Sequence, residues 1–283
     1  MKKRLGVPLY NIGAVLVGLV ISASLLLFLK LNPVEVISLA VKKIVSDGYT
    51  IGEILVKATP LIFTSLAFAF TYKANLFNIG AQGQFYAGSI VAIALSLALG
   101  GRIPQALLLL IVLVTSFGAG AVVGGLIGYA KSRFRANEFL VSMMSTYVVS
   151  ALMDFLLRTS LQETKAEYLQ TDAIAKSAYL PTILPGTRVH LGFVLALVTA
   201  ILVWVLLYKT PLGFRIRAVG YNHSAAELGG IRSGKIYVTA FLIAGGLAGL
   251  AGFTEVNGVQ HMLLQNFNAS IGSFGIGIAI LAN

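Results

Sequence analysis

Residues 104–130 read PQALLLLIVLVTSFGAGAVVGGLIGYA, an uncharged run of 27 residues held between Arg102 and Lys131. A helix needs about 20 apolar residues to cross the hydrocarbon core of a bilayer, so this run reads as a membrane span. Within it Gly120, Gly124 and Gly128 recur every four residues. Small residues at that interval line one helix face and let a neighbouring backbone come close. Gly245, Ala248, Gly249 and Gly252 form a similar face farther along the chain. Tight packing inside one bundle accounts for both, with no ligand required.

Outward from this run, seven more stretches read as spans or partial spans, giving eight candidates: 8–29, 52–72, 84–99, 104–130, 138–157, 189–208, 236–254 and 271–283. Composition requires the same conclusion. Of 283 residues, 57% are hydrophobic and only 11% charged, with a mean hydropathy of +0.88. A soluble domain carries roughly 25% charged residues, and less than half of that cannot cover a surface facing water. The expected fold is an all-α polytopic transmembrane helix bundle of about eight spans, forming a single transmembrane domain over 1–283. The last candidate stops at Leu281-Ala282-Asn283 with no polar flank, so the chain is expected to be a truncated copy or a fragment.

The N-terminal Met1-Lys2-Lys3-Arg4 and the apolar run 7–29 resemble a signal peptide. The run exceeds the ~7–15 residues of a signal core and lacks a convincing cleavage site, so it reads as a retained anchor. The net charge of +11 reads as a basic cytoplasmic edge rather than a nucleic-acid surface. With the N-terminus cytoplasmic, twelve of the 21 basic residues fall inside, against two of the ten acids, Glu138 and Glu227. Lysine and arginine near span ends set orientation, and the clusters at 131–135 and 209–235 carry the signal. The absence of cysteine excludes disulfides and thiolate metal sites and is silent on redox compartment.

Between the second and third candidates lies Lys73-Ala74-Asn75-Leu76-Phe77-Asn78-Ile79-Gly80-Ala81-Gln82-Gly83-Gln84. Its four amides, Asn75, Asn78, Gln82 and Gln84, are costly in hydrocarbon unless paired or facing a cavity. Two short hydrophobic segments broken by glycine and polar residues point to a broken helix at a translocation site. These amides are therefore expected to line a substrate pathway; the alternative is an ordinary cytoplasmic turn with amide caps. Two hydrophilic loops are long. The loop at about 158–188 is expected outside, as a solvated connector or a docking surface for an external partner. The loop at about 209–235 is expected inside. There Ser224-Ala225-Ala226-Glu227 fits a capping box and Gly229-Gly230 a C-terminal stop, giving a short exposed helix. It suits either partner docking or a plain connection.

Other patterns carry nothing. Gly229-x-x-x-x-Gly234-Lys235 approaches a phosphate-binding loop, but Ile236 stands where Ser or Thr should meet magnesium and no strand precedes it. Asn268-Ala269-Ser270 matches a glycosylation acceptor triplet common by chance. His190, His223 and His261 lack metal-type spacing. No catalytic set lies within any span, so no enzyme, cofactor or metal is expected.

Two segments resemble a known family. LFNIGAQGQF at 76–85 is similar to an F-N-I-G-x-E/Q-G-Q segment, and TPLGFRIRAVGYNHSAAELGGI at 210–231 to a T-P-x-G-x-x-x-R-A-V-G-x-N-x-x-A-A-x-x-x-G-I loop. Both resemble the permease subunits of ATP-binding-cassette importers of the branched-chain amino acid, ribose and nucleoside type, nearest the nucleoside branch. The resemblance covers the chain from about residue 50 to its end. It implies a cell-membrane permease importing nucleosides, purines or simple sugars, paired with a second permease, identical or related. Cytoplasmic ATPase subunits would engage the loop through Asn222, Ser224, Ala225, Ala226, Glu227 and Gly230, and an external binding protein would deliver solute. Phe274 departs from the family, standing where an acid is common, and the family usually continues with a further span. The rival reading is an ion-coupled secondary transporter or channel. It would place an ionisable residue well inside a span, whereas the acids here sit mainly at span ends (Glu53, Glu138, Asp154, Glu255).

Overall fold

The computed structural model describes residues 6–165 and 168–282. Eleven α-helices follow one another there: α1 (Gly6–Phe28), α2 (Pro33–Ser46), α3 (Gly48–Tyr72), α4 (Ala81–Leu99), α5 (Gln105–Phe134), α6 (Glu138–Leu157), α7 (Leu191–Lys209), α8 (Pro211–Tyr221), α9 (His223–Leu228), α10 (Ser233–Glu255) and α11 (Ile271–Leu281). The described residues form no strand, only two isolated bridges. Six helices are long and apolar enough to cross a membrane: α3, α4, α5, α6, α7 and α10 with the turn that extends it. All eight expected spans fall on helices, and the expected count is roughly met. The differences are α11, a shorter apolar helix of 11 residues, and α1, whose stretch Leu16–Phe28 meets the span criterion only together with Pro33–Ile44, at a bend of 111°. Lys2, Lys3 and Arg4, on which the N-terminal orientation leaned, lie outside the described residues.

The chain divides into two compact units, Met1–Ile51 and Gly52–Asn283. In the first, α1 ends through Lys30 in the left-handed region (φ 59). Asn32 then caps α2 by accepting the Val34 N–H at 3.1 Å, with Pro33 in the first turn. The helix α2 was not expected from the sequence. Its apolar residues Val34, Ile37, Val41 and Ile44 keep a helical interval, but Glu35, Lys42 and Lys43 interrupt the run that marks a span.

In the second unit α4 and α10 are the centre. In their spanning windows 67% and 72% of residues are buried, against 28%, 22% and 28% in α5, α6 and α7, whose remaining apolar surface is left for lipid. The seam is made of glycine. A Cβ on Gly120 of α5 would strike the Gly245 carbonyl of α10, and one on Gly124 would strike that of Phe241. Reciprocally, Gly245 faces the Gly120 carbonyl and Gly249 that of Ser116. On α4, Gly88 abuts Gly249, and Gly252 of α10 abuts Phe85. The expected tight packing through glycine is present, and it joins α4, α5 and α10.

Two hydrophobic clusters lie along this centre. One holds Phe63, Phe85, Ile93, Leu108, Met153 and Phe253, and is closed by Ile174, Ala178 and Leu180 from the loop between α6 and α7. The other holds Phe70, Ile127, Leu207, Phe241 and Leu247, and is closed by Ile216, Val219 and Ala226 from α8 and α9. The two long loops therefore seal opposite ends of the helices.

Neither loop is a free connector. The loop ahead of α7 lies against the chain that follows α10: the Thr171, Ile174 and Leu180 N–H groups donate to the carbonyls of Leu263, His261 and Asn257 at 3.0, 2.9 and 2.8 Å. The Asn257 side chain, wholly buried, donates to Ser96 Oγ at 2.8 Å and to the Ala178 carbonyl at 2.9 Å.

Candidate functional site

The four amides of the broken segment go to three different places. Asn75 sits just past α3 in the left-handed region (φ 57), exposed, and lines a recess of about 310 Å³ with Lys73, Tyr208 and Arg217. Asn78 and Gln84 are wholly buried and donate to each other, Asn78 Nδ2 to Gln84 Oε1 at 2.9 Å and Gln84 Nε2 to Asn78 Oδ1 at 3.1 Å. This closed pair makes a buried polar turn tolerable, because each amide answers the other. Gln82 turns toward α11: its Nε2 donates to the Asn268 carbonyl at 3.1 Å and its Oε1 accepts the Gly272 N–H at 2.7 Å. The structure thus joins Asn78 to Gln84, sends Gln82 elsewhere, and leaves Asn75 apart.

The mutual pair makes a direct prediction. Asn78→Leu strands the Gln84 amide without a partner, which costs roughly 1–3 kcal/mol, whereas replacing both partners by apolar groups is closer to neutral. The Asn78→Leu/Gln84→Leu double variant should therefore unfold in detergent at a higher temperature than either single variant.

At the opposite end from the loop preceding α7, two helices form a compact knob. Thr210 caps α8, its Oγ1 accepting the Gly213 N–H at 3.2 Å, and Pro211 occupies the first turn. The cap of α9 corrects the sequence expectation. Asn222, not Ser224, caps it: extended at φ −157°, it accepts the Ala225 N–H at 3.0 Å through Oδ1. Ser224 lies two residues past the cap, already inside the helix, and Glu227 stands 3.6 Å from His223 Nδ1 instead of closing a capping box. A side-chain carbonyl already extended at the junction reaches the free N–H groups first. The expected stop does hold. The Gly230 N–H donates to the Glu227 carbonyl at 2.9 Å, with Gly230 at φ +83°. The knob is rooted through the buried Ala226, while Tyr221 and Leu228 stand out at 88% and 92% exposure. Beside it, Arg215, Arg232 and Lys235 line a basic recess of about 380 Å³.

The sequence missed a third feature. After Glu255 the last helical turn of α10 widens over Val256–Gln260 into a π-turn, which ends at His261 with φ 58°. Such turns recur at functional sites, because an extra residue re-aims the side chains around it. Here they face a cavity of about 340 Å³, walled by Val56, Lys57, Pro60 and Leu61 of α3, Arg188, Val259 and Gln260, and Asn268, Ile271 and Phe274 at α11. Glu53 and Glu255 also line it. Arg188 Nε donates to Glu53 Oε1 at 2.8 Å, and its Nη2 donates to Oε2. Glu255 ends a helix, as expected, yet it is only 5% exposed. Its Oε1 accepts from Gln260 Nε2 at 3.0 Å and from Asn268 Nδ2. The signal for it was the polar run Glu255, Asn257, Gln260 and His261 directly after the glycine-rich span.

His190 and His261 lie near this cavity. His190 caps α7 by accepting the Gly192 N–H at Nδ1, 3.2 Å, and burial, aided by His261, pushes its pKa down to about 4. It is neutral at physiological pH. His261 stacks on Tyr179 at 3.6 Å, and burial, then Arg188, lowers its pKa as well. Among the described residues no cluster fit to hold a metal ion exists.

With this geometry the chain compares with known proteins as follows. A family model described as branched-chain amino acid transport system / permease component matches residues 50–283. The guanosine ABC transporter permease protein NupP of Bacillus subtilis is 31% identical over 284 residues, 99% of this chain and 81% of that protein. The glucose ABC transporter permease protein TsgB13 of Haloferax volcanii is 30% identical, over 94% of this chain and 72% of its own length. The nucleoside ABC transporter permease protein NupB of Lactococcus lactis is 27% identical, over 95% and 76%. No solved structure matches. The resemblance drawn from residues 76–85 and 210–231 is borne out.

Proposed function

The chain belongs to the family of branched-chain amino acid transport system permease components, and from that membership we propose that it passes nucleosides, or failing those simple sugars, through an ATP-driven importer. It is a multi-pass membrane permease subunit, not itself an enzyme; ATP hydrolysis belongs to a separate subunit of such systems. The solute class follows the relatives, two named for guanosine or nucleosides and one for glucose.

The observation that carries the coupling part of this reading is the α8–α9 knob. It is capped at both ends, anchored through Ala226, and presents an almost fully exposed leucine. An apolar side chain held that far out on a fixed scaffold suits a partner that covers it. In this reading a cytoplasmic ATPase seats on Asn222, Ser224, Ala225, Glu227 and Gly230, with Ala226 as the root beneath. In this reading the knob end is cytoplasmic, because the basic clusters at 131–135 and 209–235 gather at one end of the spans; a cytoplasmic N-terminus remains part of the proposal. The sealed loop at the opposite end then faces a solute-binding protein, and a second permease, the same chain or a related one, completes the pathway. The 75–84 segment borders that pathway, with Gln82 behind the cavity wall and the Asn78–Gln84 pair holding the turn in shape.

The test is uptake. Cells expressing the chain with a candidate ATPase and binding protein should take up labelled guanosine, other nucleosides or glucose. Uptake should stop when ATP is depleted and persist when the proton gradient is collapsed. Uptake that follows the gradient and needs no ATPase would place the chain among ion-coupled carriers.

A further inference from the structure

From the cavity at the π-turn we infer that Glu255 is a solute-contact residue, whose free carboxylate oxygen accepts a hydrogen bond from a neutral, hydroxyl- or N–H-bearing solute such as a nucleoside. The inference rests on the importer reading and adds a site to it. Three observations carry it.

The first is an unanswered acceptor. Glu255 is 5% exposed, yet both of its amide partners, Gln260 and Asn268, donate to the same oxygen, Oε1. Among the described residues Oε2 receives no hydrogen bond. A buried carboxylate is stable only when its oxygens meet donors. Oε2 is not sealed in protein as an orphan; it opens to the cavity, where its donor is water or a solute that displaces it.

The second is charge. The cavity wall carries two acids, Glu53 and Glu255, and two bases, Lys57 and Arg188. Arg188 holds Glu53 through two guanidinium nitrogens and also lies within electrostatic reach of Glu255. What faces the solute is a carboxylate with amides beside it, and Lys57 exposed at the rim. A phosphate brought against Glu255 would meet like charge in a poorly solvated place. Contact at Glu255 itself therefore favours hydroxyl- and N–H-bearing solutes over a phosphate group.

The third is shape. Pro60, Val259, Ile271 and Phe274 give the cavity apolar lining beside its polar groups. At about 340 Å³ the cavity falls within the range of small-molecule sites, roughly 300–1,000 Å³, which pair apolar walls with a few placed polar groups. Such a lining suits a solute that has a flat apolar face and hydroxyl or N–H groups at its edge. Behind it Gln82 clasps both the Asn268 carbonyl and the Gly272 N–H, fixing the α11 side of the cavity to α4.

The chain has no cysteine, so Leu61→Cys places a single thiol on the wall of the cavity. In the assembled complex in membranes, guanosine should slow the reaction of this thiol with a maleimide, and guanosine monophosphate should not. Adding Glu255→Gln, which keeps the size and removes the charge, should raise the guanosine concentration for half-protection about tenfold, the loss expected for a hydrogen bond to a charged group. Val259→Trp, which fills the cavity and keeps Glu255, should abolish protection at concentrations that saturate the Leu61→Cys protein. Unchanged protection in both variants, or equal protection by guanosine monophosphate, overturns the inference. The two readings fail differently. A parent protein that takes up no nucleoside or sugar sinks the importer assignment, whereas normal guanosine uptake with Glu255→Gln indistinguishable from the parent sinks only this site.

Discussion

Replacing Gly245 by leucine is expected to leave almost no folded protein in the membrane. The position faces the Gly120 carbonyl and the Gly124 Cα across the α5–α10 seam, so even the first added carbon collides with backbone rather than with a yielding side chain. Overpacking a well-packed core typically costs 1–3 kcal/mol, and more where the backbone itself must move. Here two helices would have to separate along a seam that also borders α4, so the loss should exceed about 3 kcal/mol, enough to abolish a marginally stable fold. Gly118 is the control. It lies in the same helix α5 with nothing within 4 Å of its Cβ position. Gly118→Leu should fold normally and gain several tenths of a kcal/mol from helix propensity. The measurement is the yield of monodisperse protein extracted in mild detergent, followed by its thermal midpoint. Equal yields for the two variants would mean that α5 and α10 do not meet through glycine.

The second large effect belongs to Leu228. Because it is 92% exposed, Leu228→Asp removes no packing within the chain and should insert and fold as the parent does. On the proposed reading it removes an apolar anchor from the ATPase interface. Such anchors are worth about 2 kcal/mol or more, roughly a thirtyfold loss of affinity. Co-purification of the ATPase should fall accordingly, and solute uptake should be lost while the membrane content of the permease is unchanged. Glu227→Lys, which reverses a charge on the same turn, should likewise uncouple transport from hydrolysis. Asn222→Ala removes the α9 cap at a cost of about 1 kcal/mol and should give an intermediate loss. Wild-type uptake in Leu228→Asp would place the ATPase seat elsewhere.

The sequence displayed some of this plainly and concealed the rest for definite reasons. The spans were legible because bilayer thickness demands long apolar runs, and each of the eight runs became a helix. The helix α2 was hidden because its apolar positions are spaced for one face, with Lys42 and Lys43 between them. The stop at Gly229-Gly230 was legible, since a residue at φ +83° favours glycine. The cap was misassigned to Ser224 because capping depends on where the chain becomes extended, and only the geometry at Asn222 decides that. The amides looked like one lining because they are neighbours in sequence. Their partners, Asn268 and Gly272 for Gln82, lie 186 and 190 residues away, beyond any local pattern. The burial of Glu255 was hidden for the same reason, since its cavity is walled from α3, the approach to α7 and α11.

The glycine seam bears on how such a molecule can work. Helices separated by leucine or phenylalanine can slide as their side chains change rotamer, but helices in backbone contact have no such bearing between them. Within the second unit α4, α5 and α10 therefore form a chassis that turns as one piece or not at all. On the importer reading, any alternation between outward and inward openings must work around this chassis, at margins such as the contact of α11 with α3, where Gly275 meets Thr64. That margin borders the cavity containing Glu255, so a solute arriving there would lie against the edge of the chassis and not within it.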